Sequence, residues 1–163
     1  MLFILIPGLI LVALMIYTST RIKRSAAAAF DAETIETNEF IIQKPEGFLH
    51  NLNGDPKYIF EAYSKENSKA NDKIRAGSAT IEKTANKILN DVVNELSSNE
   101  IDEATELLDG VAYRCFVRSD NEMEVSYKLA EKNGNVYKLQ VTAADESKTG
   151  QWVETFVDSF RVK

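Results

Sequence analysis

The first twenty residues, MLFILIPGLILVALMIYTST, carry no charged side chain, while every acidic residue of the chain lies after position 30. As a helix rising ~1.5 Å per residue, such a run extends roughly 30 Å, the thickness of a bilayer's hydrocarbon layer. The pattern predicts a transmembrane anchor over residues 1–20, with Pro7-Gly8 near its start, where a membrane helix tolerates them. A cleaved signal peptide is the competing reading. It needs basic residues before the apolar run, and here Arg21, Lys23 and Arg24 follow it instead. Positive flanks stay in the cytoplasm, so these three residues predict a single-pass protein of the cell membrane with its main domain on the cytoplasmic side. The anchor makes the lipid bilayer a partner through residues 1–20. Residues 21–38 follow as a juxtamembrane connector, and residues 39–163 form one globular domain.

Charge divides the chain in the same place. Of 19 Lys and Arg, three sit in the basic collar, which leaves 16 against 25 acids and a formal charge of −9 on the remainder. A body this acidic repels nucleic acid phosphates, and it carries no basic stripe interleaved with aromatics. No nucleic acid partner is expected. Between Lys87 and Arg114 stand seven acids and no base. Within that run Glu100, Asp102, Glu103 and Glu106 are a candidate docking face for a basic protein partner, weighed against an ordinary solvated surface.

The elements follow from periodicity. Phe40-Ile41-Ile42 opens the domain as a strand that Pro45-Glu46-Gly47 ends. Lys57–Tyr63 and Arg75–Glu82 are further strands, with the polar run Lys65–Lys73 as a loop between them. Ala85, Ile88, Leu89, Val92, Val93 and Leu96 form one helical stripe, with Thr84 as N-cap. Ala104–Leu108 is a strand before the hairpin signal Asp109-Gly110, and Val111, Tyr113, Cys115 and Val117 alternate along the next strand. Val125, Tyr127 and Leu129 share a face, as do Tyr137, Leu139 and Val141. A two-residue turn at Asn133-Gly134 would place Leu129 opposite Lys138 and mismatch the apolar faces. A three-residue loop, Asn133-Gly134-Asn135, which pairs Leu129 with Leu139 and Tyr127 with Val141, is expected. Trp152, Val153, Phe156, Val157 and Phe160 stripe a last helix over Lys148–Phe160, and Arg161-Val162 add an extended tail. The sum is an α+β fold: an N-terminal transmembrane helix, then a central antiparallel sheet of about six or seven strands packed by two amphipathic helices.

Chemistry-bearing motifs are scarce. His50 is the only histidine and Cys115 the only cysteine, so no site with several His or Cys ligands can form. Cys115 falls on the inward face of its strand, a core position rather than a nucleophile. Trp152 shares its helical spacing with Phe156, which points to the core. No glycine-rich phosphate loop and no G-x-S-x-G occurs. Neither a cofactor nor an enzymatic activity is expected, and no catalytic, cofactor-binding or metal residue is assigned.

Phe40-x-Ile42 with Pro45-x-Gly47-Phe48, then Asp109-Gly110-x-Ala112-Tyr113, then Phe156-x-x-Ser159-Phe160 resemble the PsbP/Mog-type domain superfamily, over Phe40 to Val162. The resemblance implies helices on both sides of a central antiparallel sheet, with three strands before the first helix of the domain. It implies no single activity, because the superfamily spans extrinsic photosystem proteins, Ran-binding proteins and bacterial domains without a common chemistry. The leading expectation is therefore a membrane-tethered, non-enzymatic protein-interaction or scaffold module. The alternative is an extracytoplasmic, periplasmic domain that binds a ligand or an envelope protein. A carboxylate-dependent enzyme comes third.

Overall fold

The computed structural model describes residues 2–69, 72–96, 104–120, 123–144 and 150–163. Helix α1 (Leu2–Ala28) is followed by β1 (Glu33–Glu36), β2 (Phe40–Lys44), β3 (Phe48–His50) and β4 (Tyr58–Ser64). Next come β5 (Glu66–Lys69), β6 (Asp72–Arg75), β7 (Gly77–Ala85) and α2 (Leu89–Leu96). The chain ends with β8 (Ala104–Leu108), β9 (Val111–Asp120), β10 (Met123–Lys132), β11 (Asn135–Ala144), α3 (Gln151–Ser159) and β12 (Arg161–Val162).

The expected transmembrane anchor is corrected here. Among the described residues no helix is long and apolar enough to cross a membrane. Within α1 the apolar run gives way to Thr18-Ser19-Thr20 and then to the basic collar, all in one continuous helix. Arg21, Lys23 and Arg24 do not flank the helix; they lie inside it, on exposed turns before Ala28. The single-pass membrane reading goes with the anchor, and the cytoplasmic orientation loses its basis.

Seven strands form one antiparallel sheet in the order β3-β4-β7-β11-β10-β9-β8. A second sheet, β1-β2-β12, holds both ends of the folded region together, and β5-β6 is a separate hairpin. Three expectations change. Glu33–Glu36, placed in the connector, pairs with β2. The polar run after Lys65 is the β5-β6 hairpin rather than a loop. Seven strands, not three, precede α2.

The large sheet is buried on both faces. Residues 125–130 of β10 are buried without interruption, the mark of a strand covered on two sides. One face, with Leu139, Val141 and Tyr137 of β11, packs against Phe156 of α3. The other, with Leu129 and Val136, packs against Val92 and Val93 of α2. Leu129 and Leu139 thus belong to opposite cores. The β10-β11 turn is consequently the two-residue form, and Leu129 lies opposite Lys138 rather than Leu139. Asn133 and Gly134 both take positive φ (53° and 72°), the conformation of a type I′ turn.

Helix α2 starts later than its stripe suggests. Thr84 and Ala85 belong to β7, where Thr84 pairs with Val136, and the chain turns at Asn86 with φ 58°. The Leu89 N–H is met by the Glu131 carboxylate at 3.1 Å, which takes over the capping expected of Thr84. On the other face Trp152 lies over Gly77, where a Cβ would come within 2.2 Å of the indole. A glycine there lets α3 settle directly onto β7.

Candidate functional site

The three helices leave two surfaces in which chemistry and exposure meet: a groove beside α3, and the outer edge of the sheet at β8. The groove lies between α3 and the strands β9 and β10 and holds about 280 Å³. Alternation along the strands places Cys115 and Val117 of β9, with Glu124 and Ser126 of β10, on the α3 side of the sheet. Helical spacing brings Val153, Glu154, Val157 and Asp158 to the facing wall. The floor is therefore apolar and the rim acidic. Glu124, Glu154 and Asp158 make no ion pair with another described residue. Ser126 is only 7% exposed and its hydroxyl has no hydrogen-bond partner among the described residues. Among the described residues every fully enclosed side-chain nitrogen or oxygen does have one, so the hydroxyl's remaining exposure opens into the groove it lines.

Lys128 closes one end of this region. It is 1% exposed, yet its ammonium is 2.9 Å from the Glu106 carboxylate, donates to the Val157 carbonyl at 3.0 Å and stands 4.9 Å from the centre of the Tyr113 ring. A charge so deep is tolerable only because it is paired and hydrogen-bonded. It ties β10 to β8 and to α3. The Tyr113 hydroxyl in turn accepts the Val162 N–H at 2.8 Å, which fixes β12. Burial raises the pKa of that hydroxyl above its ordinary value.

Lys44 plays the corresponding part at the other end of the fold. It is 1% exposed and donates to the carbonyls of Ala29, Asp31 and Phe48. The first two carbonyls follow the C-terminal end of α1, where the helix dipole favours a cation, and the third belongs to β3. Desolvation lowers the Lys44 pKa, against the pull of Glu33 and Asp31. This clasp joins α1 to β2 and β3.

The sequence-derived candidates scatter. Glu106 is described, and its carboxylate is committed to Lys128. Glu100, Asp102 and Glu103 lie outside the described residues. Cys115 is half-buried, and burial raises its thiol pKa above the ordinary value; nearby Lys128 opposes that shift and Glu106 reinforces it. That environment works against a thiolate nucleophile. His50 is on β3 and its ring packs 5.1 Å from Phe60. Five strand spacings, roughly 24 Å at the usual separation, divide it from Cys115 on β9. The two cannot act together. Trp152 packs on Phe48 at 4.8 Å in the core. Lys128 and Ser126 escaped sequence reasoning, since a lone Lys and Ser on an alternating strand read as solvent-facing. The one available signal was the apolar triplet Val125, Tyr127, Leu129, which sends both residues to a face that α3 turns out to cover.

At the far edge, β8 is the last strand of the sheet, with β9 as its one neighbour among the described residues. Residues 104–107 are exposed, and Leu107 is 72% exposed. Its sequence, ATELL, contains neither Lys nor Pro to blunt the edge.

No protein-family model and no curated protein matches this chain. Solved structures do, among them the following two. Cyanobacterial PsbP (CyanoP) from Synechocystis sp. PCC 6803 is 14% identical, with a TM-score of 0.55 over 82% of this chain and 94% of that one. LpqN, involved in cell envelope biogenesis of Mycobacterium tuberculosis, is 13% identical, with a TM-score of 0.50 over 82% of this chain and 91% of that one. At such identities the likeness is one of fold, and the fold of this chain is PsbP-like.

Proposed function

We propose that this chain is a non-enzymatic protein-binding domain that docks its partner along β8. The exposed edge of β8 carries the reading. It offers backbone donors and acceptors to an added strand, and Leu107 supplies an apolar anchor beside them. Asp109, just past the end of β8, adds a negative charge beside that edge, which suits a basic partner. The raised thiol pKa of Cys115 and its separation from His50 support the non-enzymatic part. Envelope association is the second element of the proposal, and the shared fold with LpqN supports it.

Photo-crosslinking tests the edge directly. A photoreactive side chain at position 107 of the full chain is expected to capture one protein species in the cells that make it. The same group at exposed Ile88 on the α2 side should not, and unlabelled Leu107→Asp chain added in excess before irradiation should fail to suppress the capture that unlabelled parent suppresses. Equal capture from both positions, or none from 107, contradicts the reading.

A further inference from the structure

We propose that the groove between α3 and β9–β10 receives a lysine or arginine side chain from an extended basic segment of the partner protein. This rests on the reading that the chain binds protein, and adds a second point of contact with a defined chemistry. Three features of the groove demand the same kind of guest. Val117, Val153 and Val157 form an apolar channel suited to the methylene stem of a long basic residue, which buries its carbons while its charged head stays at the rim. Glu124, Glu154 and Asp158 stand at that rim, and none is neutralised by an ion pair among the described residues. Ser126, 93% buried, presents an unpartnered hydroxyl to the same space. A hydroxyl in that position can accept a hydrogen bond from an ammonium or guanidinium that enters the groove.

The nearest buried cation does not fill this role. Lys128 turns to Glu106 and the Val157 carbonyl instead, so the rim keeps its negative sign. An apolar guest leaves the carboxylates without a counter-ion and an acidic guest is repelled by them, and that discrimination is the source of specificity. The volume of about 280 Å³ admits a side chain and its immediate neighbours, not a folded domain.

The test uses the full chain in non-ionic detergent. The ligand is an acetylated, amidated pentapeptide with a central arginine flanked by leucines, and its counterpart carries the neutral isostere citrulline. Calorimetry should show the arginine peptide binding at least about tenfold more tightly, with affinity falling as salt rises. Methyl NMR signals of Val117, Val153 and Val157 should shift. Glu154→Gln combined with Asp158→Asn should weaken binding by about tenfold, and Ser126→Ala by a few-fold. Glu95→Gln, on α2 across the sheet, should leave it unchanged, and melting curves confirm that each variant is folded. Equal affinity for the two peptides overturns the proposal. So do shifts confined to Leu107, an outcome that removes the groove while leaving the edge reading of β8 intact. Groove shifts with no crosslink from position 107 remove the edge reading and keep the groove.

Discussion

The two faces of the seven-stranded sheet are built to different standards. On the α3 side, sixteen buried residues form one cluster among the described residues, with the Phe156 ring in contact with those of Phe48, Phe60 and Trp152. On the α2 side the corresponding cluster has seven, mostly aliphatic. The contrast extends beyond the core. Helix α3 runs into β12, which pairs with β2 and is pinned by Tyr113, while Lys128 bonds the last turn of the helix. Helix α2 is held by two buried valines, a cap from Glu131 and the exposed Lys87–Glu95 pair, worth little in water. One face is locked by topology and by buried charge; the other is covered. The lesson concerns function as well, because the groove borders the locked face. A recognition surface needs walls that do not move, and α3 provides one.

The largest effect expected of this contrast comes from emptying each core in turn. Phe156→Ala removes a ring that touches three others and should cost about 3–5 kcal/mol in denaturant unfolding. Val93→Ala on α2 should cost only about 1–2 kcal/mol. Comparable losses would mean the faces are equally built.

Next comes the buried lysine. Glu106→Gln strips the Lys128 charge of its counter-ion and should destabilise the fold by about 2 kcal/mol. Lys128→Met, which removes the buried charge itself and leaves Glu106 partly solvated, should stay within about 1 kcal/mol of the parent. The reverse order would show that the ion pair, rather than the stranded charge, governs this end of α3. Gly77→Ala probes how tightly α3 sits on the sheet. The added methyl meets the Trp152 ring and should cost about 1–3 kcal/mol, with a change in tryptophan fluorescence.

Titration supplies the smallest effects. The Glu82 pKa is lowered from 4.5: desolvation pushes it up, but its hydrogen bond and charge pairing with Lys138, and then Lys57, outweigh that. A carboxylate with a depressed folded pKa contributes stability that is present above its unfolded pKa. That contribution is lost as pH falls below about 4.5. Glu82→Gln should flatten the acid limb of the stability profile. The His50 pKa is lowered from 6.5, chiefly by desolvation, with Glu33 opposing and Lys44 adding to the shift. The unfolded chain then takes up a proton before the folded one, so stability is full above about 6.5 and declines as pH falls below it. His50 is the only histidine, so His50→Phe should remove that decline between pH 7 and 5.

Much of this sheet was legible in the sequence. The strands at Tyr58–Ser64, Ala104–Leu108 and Val111–Asp120 and the Asp109-Gly110 turn stand where alternation and turn chemistry put them. What periodicity does not encode is how many faces of a strand are covered. Leu129 and Leu139 look like partners only if one core is assumed, and that assumption displaced the β10-β11 register. The resemblance to PsbP-type domains implied helices on both sides, and that information resolves the register. The site was less legible. Ser126 and Lys128 are polar residues on an alternating strand, and their burial depends on α3, some thirty residues further along. The uncharged start of the chain produced the largest discrepancy: it was taken for a transmembrane anchor, and no helix among the described residues is long and apolar enough to be one.

Native-state hydrogen exchange of the full chain tests the contrast between the faces most directly. If α3 is locked and α2 only covers its side, amides of Leu89–Leu96 should exchange by local opening, about 100-fold faster than those near the C-terminal end of α3 and in β12. The latter should exchange only with global unfolding. Equal protection of the two helices, or earlier opening of α3, would contradict the account.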